Sequence, residues 1–191
     1  GASFAVIANQ VLKKSPLYVY QDTVVWAHAI RDQLLALFNF LADKKLAIFG
    51  DTPLAFHLAH MVAEMGSEVC LCGWSEERVK VLKSILTSPP GKVCSSEPQD
   101  AVCGVDAVIG TTQGSGEIKE NLVAAIDKGC IIVDGGIGTV SPGFVKMCFE
   151  KGIRVVRSDM RAALAAEIMA RLGMCRIVKQ DSGRADFDGV S

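Results

Sequence analysis

Four short segments of this chain combine small residues with hydroxyl or charged ones in a spacing suited to holding an anion. The first is Gly50-Asp51-Thr52-Pro53-Leu54-Ala55, which follows the apolar run Leu46-Ala47-Ile48-Phe49. A glycine turn between a strand and a helix brings backbone N–H groups and the positive end of the helix dipole to one point. Gly50 stands where the first glycine of a phosphate-cradling loop falls. Ala55 stands at the small third position that lets helix and strand pack closely. Thr52 replaces the second glycine, and Asp51 adds a carboxylate where a phosphate would come. Pro53 suits the first helical position, with Thr52 or Asp51 as its cap. The same residues also read as a plain capped turn in a sheet without nucleotide.

The second segment is Gly73-Trp74-Ser75-Glu76-Glu77-Arg78. Dinucleotide sites commonly place an acid at the end of the second strand to hold ribose hydroxyls. Here no acid comes before Glu76. Ser75 and Arg78 can instead receive a 2′-phosphate, Arg78 through charge-assisted hydrogen bonds, and Trp74 can pack on an adenine. This tilts the cofactor expectation from NAD towards NADP. Ser75 equally caps a helix whose first turn carries Glu76 and Glu77, as the macrodipole favours. The third segment, Gly110-Thr111-Thr112-Gln113-Gly114-Ser115-Gly116, is a small, hydroxyl-rich loop that can line the nicotinamide side. The fourth, Asp134-Gly135-Gly136-Ile137-Gly138, calls for close backbone approach, to a ligand or to another loop. Both also read as ordinary turns. A last cluster, Arg157-Ser158-Asp159-Met160-Arg161, offers two arginines to a phosphate, a carboxylate or solvent.

The elements between these segments alternate. Short apolar runs at 46–49, 68–72, 92–94, 106–110, 131–133 and 153–156 read as strands. Several are continuously apolar, as strands buried on both faces are. Between them fall helical stripes: Leu54, Leu58, Met61, Val62 and Met65; Val79, Leu82 and Ile85; Ile118, Leu122, Val123 and Ile126; Phe144, Met147 and Cys148. Pro89-Pro90-Gly91 breaks the chain before the third strand. A strong helix former covers 162–172 and is expected to end at Gly173. Ahead of all this, Ala27, Ile30, Leu34, Leu37, Phe38 and Leu41 mark one face of a helix over 22–43. Residues 4–20, around Pro16, show no clear period.

This pattern predicts an α/β fold: a doubly wound, mostly parallel, Rossmann-like sheet with an N-terminal helical extension. Residues 1–45 form the extension and the helix leading in, 46–178 the dinucleotide-binding domain, and 179–191 a loose polar tail. In such a sheet the ligand lies beyond the carboxyl ends of the strands, at the switch point. The candidate cofactor residues are therefore Gly50, Asp51, Thr52, Pro53, Trp74, Ser75, Arg78, Thr111, Thr112, Gln113, Gly135 and Gly136.

Composition narrows the function classes. Net charge is −1, which supplies no attraction to nucleic acid or an anionic membrane. The apolar runs are too short to span a bilayer. Gly1-Ala2-Ser3 lacks a basic signal-peptide region and reads as a cloning scar or an internal cut. Seven cysteines scattered through apolar runs argue against a disulfide framework and for a reducing cytoplasm. Cys70 and Cys72 would share one face of a strand, with no second pair at zinc-ligand spacing, so no metal is expected. His57 and His60 suit a polar helix face, and His28 and Trp26 suit packing or a solvated edge.

The stretch from Leu46 to about Leu172 resembles the cofactor domain of two-domain NAD(P)-dependent dehydrogenases. Methylene-tetrahydrofolate dehydrogenase, shikimate dehydrogenase and glutamyl-tRNA reductase are the similar types. The likeness rests on Gly50-Asp51-Thr52, on Asp106-Ala107-Val108-Ile109-Gly110-Thr111-Thr112, and on Ile131-Ile132-Val133-Asp134-Gly135-Gly136. It implies a cofactor-binding domain of an oxidoreductase, using NADP or NAD, whose small-molecule substrate is held with a domain missing from this chain. It carries over cofactor positions and no catalytic residue. The alternative is a non-catalytic nucleotide-sensing domain, or a degenerate fold that forms a homodimer through the helix at 22–43.

Overall fold

The computed structural model describes residues 4–12, 22–86, 92–114 and 116–179. The segment around Pro16, the Pro89-Pro90-Gly91 break and the tail after Lys179 lie outside the described residues.

Six parallel strands form one sheet: β1 (Lys45–Phe49), β2 (Glu68–Cys72), β3 (Val93–Ser96), β4 (Ala107–Gly110), β5 (Ile131–Asp134) and β6 (Arg154–Arg157). Their order is β3-β2-β1-β4-β5-β6, so the winding reverses between β1 and β4. Within each strand the apolar residues alternate between two cores. Leu46, Ile48, Val69, Leu71, Ala107 and Ile109 face one core. Ala47, Phe49, Cys72, Val108 and Ile132 face the other. Helices cover both faces, which is why these strands need no polar side.

The first core is closed by α2 (Asp22–Phe38), α3 (Pro53–Glu64) and α4 (Glu76–Ile85) through Ile30, Leu34, Leu58, Val62, Val79 and Leu82. The second is closed by the short α5 (Pro98–Ala101), a 3-10 segment (Glu120–Ala125) and α6 (Pro142–Lys151), through Ala101, Leu122, Val123, Phe144 and Cys148. An N-terminal α1 (Phe4–Val11) and a final α7 (Arg161–Lys179) complete the described elements, and α7 packs on α2. Ala27, Ile30 and Leu34 put the apolar face of α2 inside this chain's own core.

Three expected elements differ from the structure. The helix predicted over 22–43 stops at Phe38, because Asn39 and Asp43 turn the chain at φ +65° and +61°. Short polar side chains tolerate that left-handed region. Leu41 still reaches the core, from the loop. The helix expected through Ile118, Leu122, Val123 and Ile126 is only a 3-10 turn. Ile118 is held extended instead, donating its N–H to Thr139 O (3.1 Å) and accepting from Ser141 N (3.1 Å). Lys151 Nζ then donates to the open carbonyls of Val123, Ala124 and Ile126. Finally, α7 continues through Gly173 to Lys179. A single glycine costs a helix only about 1 kcal/mol, and no proline follows it.

The register places Ser96, Cys72, Phe49, Gly110, Asp134 and Arg157 in one row across the carboxyl edge of the sheet. Every candidate segment leaves the sheet from this row.

Candidate functional site

The first loop is held by a line of hydroxyls. Thr52 is the N-cap of α3, and its Oγ1 accepts from Ala55 N at 3.0 Å. That hydroxyl donates to Thr111 Oγ1 at 3.1 Å, and Thr111 Oγ1 donates to Phe49 O at 2.6 Å. The β1 and β4 loops are thereby braced across the switch point. Gly50, at φ +105°, lies in this brace. A Cβ there would come within 2.6 Å of Thr111 Oγ1 and 2.7 Å of Thr112 Cγ2. The brace also uses donors that a phosphate would need. Pro53 has no N–H and that of Ala55 goes to Thr52, so Leu54 supplies the first-turn amide left for a ligand.

Beyond the ends of β1, β2 and β3 opens a cleft of about 560 Å³. That lies within the ~300–1,000 Å³ usual for small-molecule sites. Phe49, Gly50 and Asp51 form one wall, Cys72 and Gly73 another, and Leu122 part of the floor. The rim carries the carboxylates of Asp51, Glu97 and Glu117, with Lys119, Gln99 and Asn121. Glu97, Gln99, Glu117, Lys119 and Asn121 were absent from the sequence-based set. Glu97 directly follows the last residue of β3, so the rule that ligands sit beyond strand ends points to it. Gln99 lies in the short α5, and Glu117, Lys119 and Asn121 beside or within the apolar stripe of Ile118, Leu122, Val123 and Ile126, where they read as a polar helix face.

The second segment meets the first. Arg78 pairs with Asp51 through its Nη1, and Ser75 caps α4 with its hydroxyl 3.5 Å from Arg78 N. Trp74 is 5% exposed. Its ring stacks on Phe56 at 6.1 Å and 9°, the Arg78 guanidinium lies 4.7 Å from its centroid, and its Nε1 donates to Gly50 O at 3.1 Å. So Trp74 supports the first loop from within and leaves almost no ring surface for an adenine.

The third and fourth segments close on each other. Gly114 N donates to Ile137 O, Gly116 N to Gly138 O, and Thr139 Oγ1 to Thr112 O. A Cβ on Gly136 would lie 2.0 Å from Thr112 O, and one on Gly135 2.5 Å from Ile30 Cδ1. The paired glycines therefore serve loop-to-loop approach. Asp134 holds the turn, accepting from Gly138 N at 3.0 Å and Thr139 N at 3.1 Å. Thr111 is buried with its hydroxyl engaged, and Gln113 stands at the surface. Of the twelve sequence-derived positions, Gly50 and Asp51 line the cleft. Thr52, Pro53, Trp74, Ser75 and Arg78 do not line it; Trp74 bonds to Gly50 and Arg78 to Asp51, the two that do. Thr111, Thr112, Gly135 and Gly136 form the braced layer beside it.

Cys70, Cys72, Cys130 and Cys148 pack in or against the core, while Cys94 and Cys103 are exposed. Burial raises Cys70 and Cys130 to about 12 and Cys148 to about 11, Cys94 adding to the shift at Cys70. Cys70 and Cys72 do share one face, towards the second core. His60 faces Glu64 one turn on, and His57 lies edge-on to Phe56.

No protein-family model matches this chain, and no curated protein sequence matches it. Solved structures do. A dipicolinate synthase polypeptide from Bacillus halodurans superposes with a TM-score of 0.56 at 14% identity, over 79% of this chain and 56% of that one. A D-isomer specific 2-hydroxyacid dehydrogenase from Lactobacillus delbrueckii ssp. bulgaricus, in its NAD-complexed form, gives 0.53 at 11% identity, over 74% and 50%. Shikimate dehydrogenase from Aquifex aeolicus gives 0.51 at 17% identity, over 70% and 49%. The likeness shows a Rossmann-type fold of the kind these dehydrogenases contain, and the chain spans about half the length of each.

Proposed function

We propose that this chain is the cofactor-binding part of an NAD(P)-dependent oxidoreductase. The observation that carries this reading is the 560 Å³ cleft beyond the carboxyl ends of β1, β2 and β3, with Gly50 and Asp51 in its wall. Bound there, a nicotinamide dinucleotide would supply hydride transfer. The residues present fit the group in part. Glu97 and Glu117 can accept from ribose hydroxyls, as the acid absent from the end of β2 would. Lys119 lines the cleft as a donor for phosphate, and the Leu54 N–H is left open in the first turn of α3. Asp51 is a like charge beside that phosphate, and its pairing with Arg78 offsets it.

The choice between the two dinucleotides turns on Arg78. NADP is favoured where Arg78 leaves Asp51 for the 2′-phosphate, and NAD where the pair stays closed and the rim carboxylates hold the free diol. The small-molecule substrate is held with residues beyond this chain's cofactor cleft. Six cysteines, Cys70, Cys72, Cys94, Cys103, Cys130 and Cys148, are free thiols, which fits a reducing, cytoplasmic setting. No helix among the described residues is long and apolar enough to cross a membrane.

Thermal-shift titration with NAD, NADH, NADP and NADPH tests the reading. A ligand at a hundred times its dissociation constant adds about 2.7 kcal/mol, visible as a raised midpoint. A midpoint unmoved by all four would overturn it and favour the alternative of a non-catalytic domain, with the Asp51 departure as the reason.

A further inference from the structure

A second cleft, of about 500 Å³, opens at the other end of the same sheet edge, beyond β5 and β6. Trp26, Ile137, Arg157, Met160 and the Asp159–Arg161 pair line it, and none of these lines the first cleft. The strongest observation is Ile137. It holds φ +67° and is 41% exposed. A β-branched residue in the left-handed region is a backbone outlier, and it persists only where its surroundings over-determine it. They do so here. Gly114 N fixes its carbonyl, and Asp134 fixes the two amides that follow it. Yet the fold gains little from this side chain, because so much of it faces solvent. Glycine or asparagine would make the same turn without strain.

Arg157 presents the second observation. Its backbone is held rigidly. Gln33 Nε2 of α2 donates to Arg157 O at 3.1 Å, and Ser158 Oγ donates to Gln33 Oε1 at 2.6 Å. Its guanidinium is exposed and has no ion-pair partner among the described residues. The neighbouring Arg161 is neutralised, its Nε lying 2.8 Å and 2.9 Å from the two carboxylate oxygens of Asp159. That pairing holds the Asp159 carboxyl down at about 2. The cleft therefore offers one uncompensated positive charge, on a planar donor that matches a carboxylate bidentately. Beside it stand the half-buried Trp26 and Met160 and the exposed Ile137.

The geometry points to a binding site for a small monocarboxylate with an apolar or aromatic body, the carboxylate on Arg157 and the body between Trp26, Ile137 and Met160. As the substrate end of the oxidoreductase it rests on the function proposed above. Binding itself does not, since the two clefts share no residue.

The chain has two tryptophans: Trp26 lines the second cleft, and the Trp74 indole N–H is bonded to Gly50, which lines the first, so their indole N–H resonances report the sites separately. Benzoate, its neutral counterpart benzamide, and inorganic phosphate are titrated into the 191-residue protein without dinucleotide. Benzoate is expected to shift the Trp26 indole and the Ile137 and Ser158 amides while the Trp74 indole stays in place. Arg157→Gln is expected to weaken it about tenfold or more. Ile137→Asn, which keeps the turn, is expected to weaken it about fivefold. Benzamide or phosphate binding as well as benzoate overturns the proposal. So does benzoate binding that survives Arg157→Gln, or no perturbation at Trp26 at all. A later titration with NAD and NADP moves the Trp74 indole if the first cleft binds them, so failure of one reading is distinguishable from failure of the other.

Discussion

Asp51 and Arg78 form an ion pair that joins the loop after β1 to the first turn of α4, at the rim of the larger cleft. The two residues that most affect an incoming phosphate, one repelling and one attracting, thus hold each other. Asp51→Asn should release Arg78 and remove the like charge. NADPH affinity is then expected to rise about fivefold, from ~1 kcal/mol for an exposed pair, with a smaller gain for NADH. Calorimetric titration of both cofactors measures the difference. An equal gain for the two would remove Arg78 from 2′-phosphate recognition.

Ile137→Asn separates stability from binding. Asparagine accepts φ +67° without the branched-chain penalty, so the variant should be more stable by roughly 0.5–1 kcal/mol. Urea denaturation gives the number. A destabilised variant would mean that the isoleucine side chain supports the fold despite its exposure.

The brace between loops predicts two unequal costs. Thr111→Val keeps the shape but removes the hydroxyl that links Thr52 to Phe49 O, and should cost about 1 kcal/mol. Gly136→Ala sets a methyl against the Thr112 carbonyl, where backbone must move. Its cost should reach or pass the upper end of the ~1–3 kcal/mol of ordinary overpacking. Melting both variants beside the parent ranks them.

The buried thiols predict an alkaline limit. Burial lifts Cys130 to about 12 and Cys148 to about 11, from a reference of 9.0. A raised folded value means the unfolded chain loses its proton first. Their contribution is whole below about pH 9 and falls as pH rises towards 11–12, by up to about 1.4 kcal/mol per pH unit for each thiol. Denaturation midpoints between about pH 8 and about pH 10.5 follow this, and Cys130→Ala should flatten the slope by one thiol's share. An unchanged slope would place the alkaline loss elsewhere.

The sheet was readable from the chain because its central strands must bury both faces. Runs such as Leu46-Ala47-Ile48-Phe49 admit few other uses. The cap Ser75 was readable too, and the cap of α3 to within Thr52 or Asp51, since a cap and its amide lie three residues apart. The site was less so. Thr52 meets Thr111 from 59 positions away, and nothing local tells a bracing hydroxyl from one that awaits a ligand. Gly135 and Gly136 announced a close approach without saying to what. The left-handed turn at Ile137 leaves no trace in a residue type that ordinarily avoids it. Glu117 and Lys119 sit in irregular backbone and Asn121 in the 3-10 segment, where polarity alone marks no role.

The hydroxyl brace also constrains how this loop could change. Thr52 occupies the place of a glycine, so replacing it with one looks like a repair of a phosphate-binding turn. Here that change would uncap α3 and cut the tie to Thr111 in one step. Any route from this loop to a glycine-rich one must therefore pass through a second substitution near Thr111, or through a loosened intermediate.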